Sequence, residues 1–125
     1  MDGLGPLEGY VDEAAADAGV DPAALREALA RMQSDVRAYP GVADLVFEYR
    51  RAFDYDPLVR REGRVYHLLV PPRVWREFAA RLDASAAVLA AARATHDRAF
   101  TDAADLVPEE RGDWEPLVFV AEKSE

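Results

Sequence analysis

Residues 8–38 read EGYVDEAAADAGVDPAALREALARMQSDVRA, and their punctuation sets the architecture. Leu7, Val11, Ala14 and Ala18 fall on one helical stripe while Asp12, Glu13 and Asp17 lie outside it. Glu8 to Ala18 is therefore expected to be a short helix. Gly19 offers a left-handed stop, and Val20 supplies the apolar contact that accompanies such a stop. Asp21 then caps a second helix with Pro22 at its first position. Leu25, Ala28, Leu29, Met32 and Val36 give that helix a buried stripe running to about Ala38, where Pro40-Gly41 ends it.

Downstream the period changes. Leu45 to Phe53 alternates, with Phe47, Tyr49 and Phe53 on one face and Val46, Glu48 and Arg50 on the other, which predicts a strand. Asp54-Tyr55-Asp56-Pro57 is turn chemistry. Leu58 to Arg61 and Arg64 to Val70 then flank Glu62-Gly63, a two-residue hairpin turn. A three-stranded antiparallel meander over 45–70 follows from this reading.

Pro71-Pro72 stops the last strand and opens a helix. Trp75, Phe78, Leu82, Ser85, Leu89, Ala92, His96 and Ala99 continue at alternating steps of three and four. One straight helix here would run about 42 Å, project from so small a domain and need a partner. A break at Asp83-Ala84-Ser85 would fold its second half back, and this version is preferred. Thr101 to Pro116 reads as an acidic loop, and Leu117 to Ala121 as a strand on the edge of the sheet. The expected fold class is α+β: an N-terminal helical pair, a three-stranded antiparallel meander, a C-terminal helix or helix pair, and a final edge strand. All of it fits one domain over residues 1–125, with 1–7 and 122–125 as flexible ends.

The 125 residues carry 24 acids against 15 bases, a net charge of −9, and no cysteine. Disulfides, thiolate metal sites and cysteine nucleophiles are thereby excluded. No apolar run approaches the ~20 residues that cross a bilayer. Met1 to Pro6 lacks the basic start and apolar stretch of a signal peptide. A cytoplasmic protein without a membrane partner is expected. Charge is uneven: residues 1–43 and 84–125 each carry −5, whereas 44–83 carry +1, so an anion-facing surface would lie in the middle. Lys123 is the only lysine, isoleucine is absent and alanine is abundant. This composition resembles that of halophilic archaeal proteins. The resemblance implies an acidic surface that stays dispersed where salt has shortened the reach of charge.

Residues 14–29, AAADAGVDPAALREAL, place Ala15 inside a helix, Gly19 at the turn and Val20 just after it. Leu25, Ala28 and Leu29 then fall where a second helix packs back. The pattern resembles the helix-turn-helix of winged-helix transcription regulators. That resemblance implies DNA contacts from Arg26 and Arg31 on the second helix and from Arg60, Arg61 and Arg64 on a wing-like hairpin. It also implies a dimerising helix after Pro72.

No catalytic, cofactor or metal set assembles from the residues themselves. His67 and His96 stand far apart and are expected to pack or hydrogen-bond. Asp54 and Asp56 are spaced like half of a calcium loop, but Pro57 breaks the pattern. Ser34, Ser85, Ser124, Thr95 and Thr101 lack a nucleophile elbow or a convincing base. The leading expectation is a small non-catalytic regulatory protein without cofactor, acting as a homodimer or on a protein partner. Trp75, Phe78, Leu82, Leu89 and His96 would form its self-association face. A winged helix-turn-helix DNA-binding regulator is the second reading. The third is a ligand-binding domain or enzyme with a pocket near Tyr49, Tyr66, His67 and Arg50.

Overall fold

The computed structural model describes residues 4–38, 41–104 and 112–121. A 3-10 turn, Gly5–Tyr10, leads into α1 (Val11–Ala18), followed by α2 (Pro22–Ala38) and α3 (Val42–Ala52). The hairpin of β1 (Leu58–Glu62) and β2 (Val65–Val70) comes next, then α4 (Pro72–Leu82), α5 (Ala86–Ala104) and β3 (Glu115–Val120). The fold is α+β, with a three-stranded antiparallel sheet in the order β1-β2-β3.

The helical pair forms as its punctuation demands. Gly19 is left-handed at φ 71°, and the N–H of Val20 reaches back to the Ala15 carbonyl. A Cβ at Gly19 would meet no neighbour, so glycine is favoured there by backbone conformation alone. The Asp21 carboxylate accepts from the Ala23 N–H at 2.9 Å and starts α2. Leu25, Ala28, Leu29, Met32 and Val36 are all buried.

Residues 45–53, expected as a strand, instead complete helix α3 through Ala52, with Phe53 as its extended C-cap. Val42, Val46, Tyr49 and Phe53 step by four, three and four, a helical stripe that competes with the alternating one. Asp44 in the first turn and Arg50 and Arg51 in the last also suit the helix dipole. The sheet is still three-stranded because β3 supplies the missing member, pairing Val65 with Val120 and His67 with Val118. The hairpin turn is Gly63-Arg64, one residue later than expected, with Glu62 opposite Val65.

The helix after Pro72 breaks in two. Asp83 turns left-handed at φ 52°, and the Ser85 hydroxyl accepts from the Val88 N–H at 3.1 Å to start α5. The break lets Phe78 of α4 and Phe100 of α5 enter one core with Phe119. Leu4 and Leu7 join that core, so residues 4–7 are packed rather than a loose end. A Cβ on Gly5 would lie 2.8 Å from the Val120 side chain, so only glycine lets the first turn close over the end of β3. The remaining expected ends, residues 1–3 and 122–125, lie outside the described residues.

Candidate interaction surface

β3 has β2 on one side only, and its outward backbone groups at 116, 118 and 120 need partners. Side chains supply them. The Trp75 indole N–H donates to the Pro116 carbonyl at 3.0 Å, and the Val118 N–H donates to His96 Nδ1 at 2.9 Å. Gln33 Nε2 donates to the Val118 carbonyl at 2.7 Å, and Gln33 Oε1 accepts from the Val120 N–H at 2.9 Å. Arg37 Nε donates to the Val120 carbonyl at 2.6 Å. Three helices thus seal this edge: α2, α4 and α5. The opposite edge, β1, is exposed and is guarded by a bulge at Val59 and by Arg60, Arg61 and Glu62.

The same seal accounts for His96. His96 is fully buried, with Trp75 and Phe119 edge-on to its ring. Nδ1 accepts, so the ring is the neutral tautomer protonated at Nε2. Burial pushes its pKa down to about 3. His67 packs against Phe100 with neither ring nitrogen hydrogen-bonded, and burial lowers its pKa as well. Among the described residues, no group of three His, Asp or Glu side chains is placed to hold a metal ion.

The expected self-association face is consumed inside the chain. Trp75, Phe78, Leu82 and His96 are buried, and Leu89 is half-buried. They pack inward because the break at Asp83 folds α5 back onto the core.

The five arginines expected at nucleic acid all have partners within the chain. Arg26 pairs with Glu8 at 2.8 Å and Asp12 at 3.4 Å, and Arg31 reaches the Leu82 carbonyl. Arg60 pairs with Glu62 at 2.7 Å, and Arg61 lies 4.7 Å over the Tyr66 ring. Arg64 donates to the Ala121 carbonyl. α2 lies along the outer edge of β3, whereas β1 is the opposite edge of the sheet. Helix and hairpin are therefore not neighbours on one face. The pocket expected near Tyr49, Tyr66 and His67 does not assemble either. Tyr66 and His67 are consecutive in β2 and point to opposite faces, while Tyr49 sits on α3.

What stays exposed is α3. It buries only Val42 and Val46, and Phe47 is 58 % exposed. Asp44, Phe47, Glu48 and Arg51 form one exposed stripe, with the Arg51 guanidinium 5.8 Å from the Phe47 ring centroid. Behind it runs a ladder of rings: Tyr49 to Phe53 at 5.1 Å, Phe53 to Tyr55 at 5.7 Å, and Tyr55 to Trp114 at 3.7 Å. Arg73 of α4 covers Phe53. Burial raises the Tyr49 hydroxyl pKa, with the Glu77 carboxylate adding to the shift. Reading 45–53 as a strand hid this arrangement, because it scattered Asp44, Phe47 and Arg51 over two faces.

A family model described as a domain of unknown function, DUF8048, matches residues 6–120. The chain belongs to that family. Its span runs from the first turn to the last residue of β3, so the sealed edge and the α3 stripe both lie within the family unit. No curated protein and no solved structure matches the chain.

Proposed function

We propose that this DUF8048 member is a non-catalytic protein that acts by pairing with a second copy of itself through α3. The observation that carries the reading is Phe47, a large apolar ring held outward on a helix that is otherwise anchored along one side. The stripe is self-complementary. Asp44 lies one turn before Phe47 and Arg51 one turn after it, so two antiparallel copies of α3 would set each Asp44 against the partner's Arg51. Both Phe47 rings would then meet at the twofold. The buried histidines and the engaged hydroxyls of Ser85 and Thr95 favour association over covalent chemistry.

One eleven-residue helix makes a small contact, so the dissociation constant expected is roughly in the upper micromolar range. Light scattering at about 1 M salt tests the pairing, since the screening length there, about 3 Å, still leaves touching charges coupled. Asp44→Arg or Arg51→Asp alone places like charges together and should leave a monomer. The double exchange, Asp44→Arg with Arg51→Asp, should restore the dimer. A dimer untouched by either single exchange would refute the pairing.

A further inference from the structure

Both tryptophans of the chain line one cavity of about 310 Å³, set between α4, α5 and the start of β3. That size lies at the lower end of small-ligand sites. Both indoles are anchored by contacts within the chain. Trp75 is pinned by its indole N–H on the Pro116 carbonyl, and Trp114 lies flat on Tyr55, 3.7 Å away and 9° from parallel. Tyr55 is itself anchored, its hydroxyl donating to the Leu69 carbonyl at 3.0 Å. Only one face of the Trp114 indole is covered by that stack, and the residue remains 39 % exposed.

Among the described residues, its walls carry the carboxylates of Asp97, Asp113 and Glu115 and the guanidinium of Arg93; Glu115 pairs with Arg93, and Asp97 accepts from the Thr101 hydroxyl at 3.2 Å. Arg93 shows what the site accepts: its guanidinium lies 5.9 Å from the Trp75 centroid while pairing with Glu115. An aromatic face with a carboxylate beside it is the arrangement that favours organic cations, and attraction to tryptophan is the strongest among the rings. Trp114 and Asp113 line the same cavity, and both are exposed to solvent.

We infer that this cavity binds a small organic cation, a guanidinium or alkylammonium compound, with its charge held between the Trp114 face and the Asp113 carboxylate. An anionic ligand would meet Asp113 with the Arg93 guanidinium already committed to Glu115, and is disfavoured. The site is separate from the α3 stripe, so it stands or falls independently of self-association.

Titration calorimetry on the full chain tests the inference, with arginine methyl ester and phenyltrimethylammonium as probes and benzoate as the control. Both cations should bind saturably, roughly in the millimolar range or tighter, and benzoate should give no saturable heat. Trp114→Leu should weaken binding at least tenfold, and Trp114→Phe should recover part of the loss. Asp113→Asn, an exposed change that leaves the core alone, should weaken cation binding without affecting benzoate. Absence of saturable heat with both cations would overturn the site, as would equal binding of benzoate or an Asp113→Asn affinity equal to wild type.

Discussion

Gln33 and His96 do the work that a fourth strand would otherwise do. A glutamine can both donate and accept, so one side chain satisfies the Val118 carbonyl and the Val120 N–H together. Gln33→Leu keeps the volume but leaves both backbone groups buried and unpaired. It should lower unfolding free energy by about 2–4 kcal/mol in a denaturant titration. His96 makes the seal sensitive to acid. Its folded pKa of about 3 lies below the value near 6.5 of an unfolded chain, so the unfolded state takes up the proton first as pH falls. Stability is full above about pH 6.5 and drains away towards pH 3, with His67 adding in the same direction. Unfolding free energies from denaturant titrations at about pH 7 and pH 4.5 should therefore differ by roughly 2–3 kcal/mol through His96 in wild type. In His96→Phe the difference should shrink, at the cost of lower stability at pH 7, because the Val118 N–H loses its acceptor. A pH profile identical in the two proteins would contradict this assignment.

Among the α-helices, α3 is the one held most lightly. Its apolar anchorage is Val42 and Val46 together with the Tyr49–Phe53 end of the ring ladder, whereas α5 buries seven residues along its length. Hydrogen exchange should show the α3 amides opening at lower free energy than those of α5 and β3. Equal protection would mean that α3 is part of the main core. The sequence of α3 supports two readings at once: Val42, Val46, Tyr49 and Phe53 form a helical stripe, but exposed Phe47 completes an alternating one with Tyr49 and Phe53 and imitates the inward face of a strand. By contrast, Gly19, Asp21-Pro22 and Asp83-Ala84-Ser85 were legible because each break needs particular local chemistry. The sealed edge of β3 was not. Gln33 and Arg37 lie more than eighty residues from the backbone they bond, and no local pattern links them. Trp114 and the second tryptophan wall were hidden for the same reason.

At the scale of the whole molecule, a net charge of −9 opposes both compactness and the approach of a second copy. Adding salt from about 0.1 M to 1 M shortens the screening length from about 10 Å to about 3 Å, which removes most of that repulsion and leaves contact pairs in force. Thermal unfolding should accordingly move to higher temperature with salt, which is what the halophile-like composition implies. Self-association should rise over the same range, in contrast to complexes steered together by opposite net charges. Sedimentation equilibrium across that salt series, on wild type and Phe47→Asp side by side, tests the pairing most directly. The wild-type mass should climb from near 13.8 kDa towards twice that value while Phe47→Asp stays monomeric and folded. A wild-type mass that holds at the monomer value throughout, or a Phe47→Asp protein that dimerises equally well, would contradict pairing through α3.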